Sequence, residues 1–306
     1  MDELIREMRN GSRVALSRLL SEVENHREQA GEIVQQLAPR IGEAMRIGFT
    51  GPPGAGKSTL AAAYVKRLLQ EGKRVGILAV DPTSPFSGGA LLGDRVRMSA
   101  IANDPDVFVR SVATRGDLGG LAEAAGDMAD VLDAAGYDTI LYETVGVGQS
   151  ELEIVQYADC TTVILVPESG DAIQGMKAGL MEIADVFVIN KADREGADRF
   201  ASDLRAAMHL KKWENWTPPV VMTVAVREEG VDEFRAQVNS HLDYLRASGE
   251  LERRRAGRVR RRIQKHVEQK VLSGFWTAER IAKLETAIRL NRSPLEITGE
   301  LLRDVP

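Results

Sequence analysis

Apolar positions along the chain follow two rhythms. In residues 1 to about 42, Leu4, Ile5, Met8, Val14, Leu16, Leu19, Leu20 and Val23 recur at mixed three- and four-residue spacing. That spacing predicts helices. A second helical stretch, Glu32 to Leu37, ends near Pro39. From Arg46 the rhythm changes to short continuous apolar runs at 46–50, 74–80, 107–112, 138–142, 161–167, 185–190 and 219–224. Amphipathic stretches at 57–71, 121–135, 175–184 and 196–209 lie between them. Continuous apolar strands alternating with helices predict an α/β fold: a doubly wound, mostly parallel sheet covered on both faces. After about residue 246 the strand runs stop. Ile281, Leu284, Ala287, Ile288 and Leu290 form a helical stripe there, and Ser293-Pro294 reads as an N-cap followed by Pro at the first helical position. The expected organisation is a helical N-terminal extension (1–42), an α/β domain (43–246) and a helical C-terminal arm (247–306).

Composition narrows the classes. Of 306 residues, 43% are apolar and 28% charged, which is ordinary for a globular chain and excludes fibrous or wholly disordered classes. Lys plus Arg number 40 against 45 Asp plus Glu, so the net charge of −5 carries no global nucleic-acid footprint. Residues 251–265 hold eight basic residues against one acidic. Without interleaved aromatics, this run reads as a solvated helix face or the polar side of an oligomer arm. No apolar run approaches the roughly 18 residues of a membrane span. The N-terminus, MDELIREMRNG, lacks the apolar core of a secretory signal, so a cytoplasmic location is expected. Cys160 is the lone cysteine, and His26, His209, His241 and His266 are scattered. This excludes an intramolecular disulfide and gives no metal-binding spacing. Cys160 reads as a small residue entering a strand, and the histidines and Trp213 and Trp216 as packing or surface residues.

Three motifs carry chemistry. Gly51-Pro52-Pro53-Gly54-Ala55-Gly56-Lys57-Ser58, followed by Thr59, matches G-x-x-x-x-G-K-[ST] between a strand and a helix. Its glycines turn backbone N–H groups toward phosphate, and the helix N-terminus adds positive charge. Lys57 reaches the β- and γ-phosphates, and the Ser58 hydroxyl binds Mg²⁺. Asn190-Lys191-Ala192-Asp193 ends the run DVFVIN, where a doubly wound sheet binds its ligands. N-K-x-D reads guanine: the Asp193 carboxylate accepts from both N1–H and the 2-amino group, which adenine does not offer in that arrangement. Between them, Glu143-Thr-Val-Gly146 replaces the usual D-x-x-G. Glu143 is expected to serve Mg²⁺, through water, and Gly146 to sense the γ-phosphate. In AVDPTSPFSGGALLGDRVRM (79–98), Asp81 ends a strand and Asp94 follows a glycine-bearing loop. Both can approach Mg²⁺, and Asp94 equally fits a helix N-terminus.

Together GPPGAGKST, LAVDPTSPFSGGALLGDRVRM, ETVGVGQSE, GDAIQGMKAG and NKAD resemble the MeaB/ArgK family of P-loop G proteins over roughly residues 15–300. These belong to the signal-recognition/MinD/BioD class and act as GTPase chaperones of adenosylcobalamin-dependent acyl-CoA mutases such as methylmalonyl-CoA mutase. The resemblance implies GTP/GDP and Mg²⁺ as cofactors. It also implies a mutase partner that itself carries adenosylcobalamin, and a homodimer through the C-terminal arm. It places Asp81, Asp94 and Glu143 around Mg²⁺, assigns switches to 82–98, 143–155 and 169–177, and makes Asp171, Gln174 and Lys177 candidates for touching switch II or the phosphates. Lys57, Glu143, Asp94 and Lys177 are thus the catalytic candidates. Val147 follows Gly146 where Ras-type proteins have the water-positioning glutamine, and Gln149 is displaced. No arginine finger stands out among Arg95, Arg97, Arg110 and Arg115. Slow intrinsic hydrolysis that a partner accelerates is expected. Pro52 and Pro53 stand where a MinD-type signature lysine would be, which disfavours dimer-triggered hydrolysis. The rival expectations are a nickel-type GTPase metallochaperone and a kinase acting on an amino-acid transport protein.

Overall fold

The computed structural model describes residues 1–81, 98–113, 122–144, 150–168 and 179–303. They form two compact units, Met1–Glu252 and Arg253–Pro306. The first is built on seven parallel strands: β1 Met45–Thr50, β2 Val75–Asp81, β3 Val107–Ala113, β4 Thr139–Thr144, β5 Cys160–Leu165, β6 Val186–Asn190 and β7 Val220–Thr223. Their order is β3-β2-β4-β1-β5-β6-β7 and every pairing is parallel. Each of the apolar runs read from the sequence is a strand. The interior strands β1, β4, β5 and β6 are buried almost end to end, which is why they read as continuous rather than alternating.

Among the described residues, helices of two or more turns are α1 Asp2–Arg9, α2 Arg13–Asn25, α3 Arg27–Leu37, α4 Lys57–Gln70, α5 Ala122–Ala134, α6 Ala197–His209, α7 Val231–Ser248, α8 Glu250–Phe275, α9 Ala278–Arg289 and α10 Pro294–Leu302. One sheet face is covered by α4 and α7. There Phe49, Tyr64 and Phe234 meet with ring centroids 5.3–5.9 Å apart. Each such pair contributes about 0.5–1.5 kcal/mol beyond area burial. The other face carries α5 and, over it, the three N-terminal helices, whose Ile5, Met8, Leu16, Leu19, Leu20, Ile33 and Leu37 share one core with Leu78, Ile140 and Tyr142. Val14, which fitted the apolar spacing, is 64% exposed.

Polar side chains fasten this extension. Arg13 donates to the carbonyls of Pro105 at 2.8 Å and Val107 at 2.6 Å. Arg110 on β3 donates to Glu24 at 2.7 Å and Ser21 at 3.0 Å. Below the sheet, Arg46 at the start of β1 is buried with Asp130 2.5 Å away and Asp133 at 3.8 Å. Asp133 also accepts the amides of Gly42 and Ala44, and Asp159 accepts that of Arg46.

In the second unit α9 and α10 close a small core of Phe275, Leu284, Ala287, Ile297 and Leu301. Ser293 stands at the N-cap position of α10, without a side-chain capping bond, and Pro294 opens the helix, the placement the dipeptide predicts. Ile281, Ile288 and Leu290, part of the same sequence stripe, are exposed.

Candidate nucleotide site

Because all seven strands are parallel, their C-terminal ends lie along one edge, where α/β sheets bind ligands. The loop from Gly51 to Gly56 leaves β1 there and becomes α4. Two glycines are imposed by geometry. Gly51 has φ +137°, and a Cβ on it would stand 2.0 Å from the Ile164 carbonyl oxygen. Gly56 caps α4 at φ +84°, where a Cβ would meet the Asn190 amide at 2.4 Å. Pro52 and Pro53 restrict the first half of the loop.

Lys57 is buried, and its ammonium donates to the carbonyls of Gly51 at 2.7 Å and Pro52 at 3.0 Å. The cation is thus drawn back over its own loop, onto oxygens that phosphate oxygens can replace. Ser58 is buried beside it and donates from Oγ to Glu143 Oε1 at 2.5 Å. Glu143 sits on β4, which pairs with β1, so the register brings the carboxylate to the first turn of α4. A hydroxyl and a carboxylate are hard oxygen donors, the set that Mg²⁺ takes. Asp81 ends β2, whose Ala79 is registered with Glu143, so its backbone reaches the same edge. Its side chain lies outside the described residues, as do Asp94, Arg95, Arg97, Arg115, Gly146, Gln149, Asp171, Gln174 and Lys177. Arg110, one of the arginines considered for a finger, is engaged by α2.

Asn190 at the end of β6 ties the site together. Its Nδ2 donates to the Ala55 carbonyl at 2.9 Å, and its Oδ1 accepts from Thr223 Oγ1 and the Ala225 amide, both at 3.1 Å. Lys191 follows at φ +57° and donates to the Gly54 carbonyl at 2.8 Å. Asp193 stands at the open side of this loop, partly exposed. Side-chain bonds thus join Lys57 to Gly51 and Pro52, Ser58 to Glu143, Asn190 to Ala55 and Lys191 to Gly54, while Pro53, Gly56 and Thr59 lie in the same loop and first turn and Asp193 stands three residues beyond Asn190.

A convergence that sequence reading missed lies at the opposite edge. Buried Cys160, Asp185 and His241 bring their sulfur, oxygen and nitrogen atoms within 4.8 Å of one another. Asp185 accepts the Thr161 amide at 2.8 Å and lies 3.2 Å from His241 Nε2, while Trp216 donates to the Asp185 carbonyl at 2.8 Å, stacks on Tyr244 and meets the His241 ring at a tilt of 54°. Only the tertiary fold joins these three residues. Trp213 donates to the Met208 carbonyl, so both tryptophans are packing residues, as expected.

Residues 15–280 match the family model for methylmalonyl-CoA mutase-associated GTPase MeaB. A Pyrococcus abyssi protein named as a putative GTPase is 52% identical over 268 residues, covering 86% of this chain and 83% of that protein. The mitochondrial methylmalonic aciduria type A homolog of Mus musculus is 34% identical over 296 residues, covering 90% and 71%. A crystal structure of an LAO/AO transport system kinase superposes with a TM-score of 0.75 at 30% identity, over 99% of this chain and 96% of that one.

Proposed function

The chain belongs to the MeaB family of methylmalonyl-CoA mutase-associated GTPases, and from that membership we propose that it is the GTP-hydrolysing chaperone of an adenosylcobalamin-dependent acyl-CoA mutase. In this role it gates cofactor loading and protects or reactivates the mutase. The observation that carries the nucleotide half of this reading is Asn190, whose amide spans the phosphate loop and the Thr223–Ala225 turn. That bridge makes phosphate binding and base reading parts of one rigid assembly. The mutase half rests on the family and on the mouse relative's name.

In this reading Lys57 leaves the Gly51 and Pro52 carbonyls for the β- and γ-phosphates, so the loop's internal bonds are exchanged rather than lost. Backbone amides from Gly51 to Thr59 surround the phosphates at the α4 N-terminus. Asp193 reads guanine, with Lys191 along the base or ribose. Ser58 and Glu143 hold Mg²⁺, joined by Asp81 and Asp94. Bound there, Mg²⁺ would supply positive charge beside the phosphate oxygens. Gly146 reports the γ-phosphate, Lys177 contributes from the third switch, and hydrolysis is slow until the partner orders the switches. The cobalamin belongs to the mutase. Two copies pair through the C-terminal arm, in the cytoplasm. No described helix is long and apolar enough to cross a membrane.

The test is phosphate release from GTP, alone and with a panel of purified cobalamin-dependent acyl-CoA mutases. Slow turnover accelerated by one of them supports the chaperone reading and identifies the client. Indifference to all of them overturns the mutase role and leaves a GTPase with another client. Transfer of labelled γ-phosphate to a transport protein would favour the kinase reading instead. Nickel delivery requires an accessible metal site. Among the described residues, the converging donors Cys160, Asp185 and His241 are buried at the edge away from the phosphate loop.

A further inference from the structure

The loop after β7 is tied to the base-reading segment through one arginine. Val224 and Glu229 pair their backbones at 3.0 and 3.3 Å, closing a tight turn whose middle is Ala225–Arg227. Within the turn, Glu229 grips Arg227 at two points: Nε to Oε1 at 2.7 Å and Nη2 to Oε2 at 3.2 Å. This two-point contact fixes the plane of the guanidinium. Its remaining nitrogen, Nη1, then donates to Asp193 Oδ2 at 3.2 Å, across 34 residues of sequence. The turn itself is anchored. Asn190 takes the Ala225 amide, the Ala192 amide donates to the Thr223 carbonyl at 3.0 Å, and Glu228 accepts from Lys66 and Arg67 of α4, both at 2.6 Å.

We propose that Arg227 is a specificity-determining positioning residue, which holds the Asp193 carboxylate with both oxygens toward the guanine edge. The inference rests on the reading of Asp193 as the guanine-reading residue. An ionised carboxylate has about four lone-pair sites. Arg227 uses one, on Oδ2, and leaves enough for guanine N1–H and the 2-amino group. Guanine needs the two oxygens coplanar with its edge. A freely rotating side chain loses that freedom on binding, whereas one already held loses less. The Arg227–Asp193 pair is exposed, so its contribution to folding is small and its effect falls on nucleotide choice.

The experiment measures Kd for GDP, IDP and ADP with the full-length chain. IDP keeps N1–H but lacks the 2-amino group. Arg227→Ala is expected to weaken GDP about three- to tenfold, to narrow the GDP-to-IDP ratio, and to leave ADP unchanged. Arg227→Lys should restore part of the loss, and Glu229→Gln should reproduce part of it. In an Asp193→Asn background, Arg227→Ala should add nothing. Equal weakening of all three nucleotides would make Arg227 a brace for the loop and overturn the proposal. Unchanged or tighter GDP binding would also overturn it, the latter by making Arg227 a competitor of the base. If Asp193→Asn itself leaves the GDP-over-ADP preference intact, the underlying assignment of Asp193 fails, independently of Arg227.

Discussion

Ser58 and Glu143, 85 residues apart in sequence, meet as hydroxyl donor and carboxylate acceptor at 2.5 Å, both buried beneath the phosphate loop. The contact exists because β4 lies directly beside β1 and carries Glu143 to the first turn of α4, which holds Ser58. As the proposed Mg²⁺ pair, the two should fail together. Ser58→Ala and Glu143→Gln are each expected to lower Mg²⁺-dependent GTP turnover by about 10–100-fold, with the Mg²⁺ concentration for half activity moved upward. Phosphate release titrated with Mg²⁺ checks this. An unchanged Mg²⁺ dependence in both variants would remove them from the metal site.

Lys57 gives a second test. Its two carbonyl bonds show how the loop stores the cation, and those partners are uncharged. Phosphate oxygens are anionic and hold an ammonium more strongly, with charge-assisted bonds contributing about 1.5–3 kcal/mol. Lys57→Ala is expected to weaken GTP by about 10–150-fold and to abolish most turnover. Titration of the nucleotide against circular dichroism-matched wild type and variant measures it, and retained turnover would reject the phosphate-site assignment.

Much of this site is legible in the sequence because its parts are local. GPPGAGKS and NKAD are contiguous, and each follows an apolar run that is a strand. What the sequence does not carry is strand order. Only the placement of β4 and β5 on either side of β1 brings Glu143 to Ser58 and sets Ile164 against Gly51. The same holds for Arg227 with Asp193 and for Cys160 with Asp185 and His241, whose spacing in the chain follows no motif. Val14 fitted the apolar period of its helix yet faces water, because periodicity marks a face without saying how wide the covered stripe is.

The Arg46 network predicts a stability effect with no catalytic signature. Burial alone would lower the Arg46 pKa, but the combined effects of Tyr142, Asp130 and Asp159 raise it above its ordinary value, so the guanidinium stays charged. Removing one partner of a buried pair leaves the other uncompensated, at a cost of about 3–5 kcal/mol. Asp130→Ala is expected to lower Tm by on the order of 10 °C. Differential scanning calorimetry reads it, and a shift within error would show that Asp133 and Asp159 suffice to compensate Arg46.

Glu228 predicts a pH dependence. The Lys66 ammonium, then the Arg67 guanidinium, hold its carboxyl below the ordinary 4.5. A depressed carboxylate contributes stability that is fully present above its unfolded pKa and lost as pH falls through the folded one. The Tm difference between wild type and Glu228→Gln should therefore be largest near neutrality and should shrink below about pH 4.5. It should be small throughout, because the group is partly exposed. A difference that grows on acidification would reverse the sign of the linkage.

The C-terminal arm predicts assembly. Val259, Ile263, Val267 and Val271 recur every fourth residue along α8, and each is more than half exposed. A row of β-branched apolar side chains on one helix face loses water contact only by packing on another surface. In the proposed homodimer that surface is a second arm. Ile263→Asp with Val267→Asp is expected to convert a dimer to a monomer in light scattering after size exclusion, while GTP turnover of the isolated protein stays as it was. A wild-type chain that is monomeric at micromolar concentration would sink the dimer. A doubly substituted chain that still dimerises would move the contact off this face of α8.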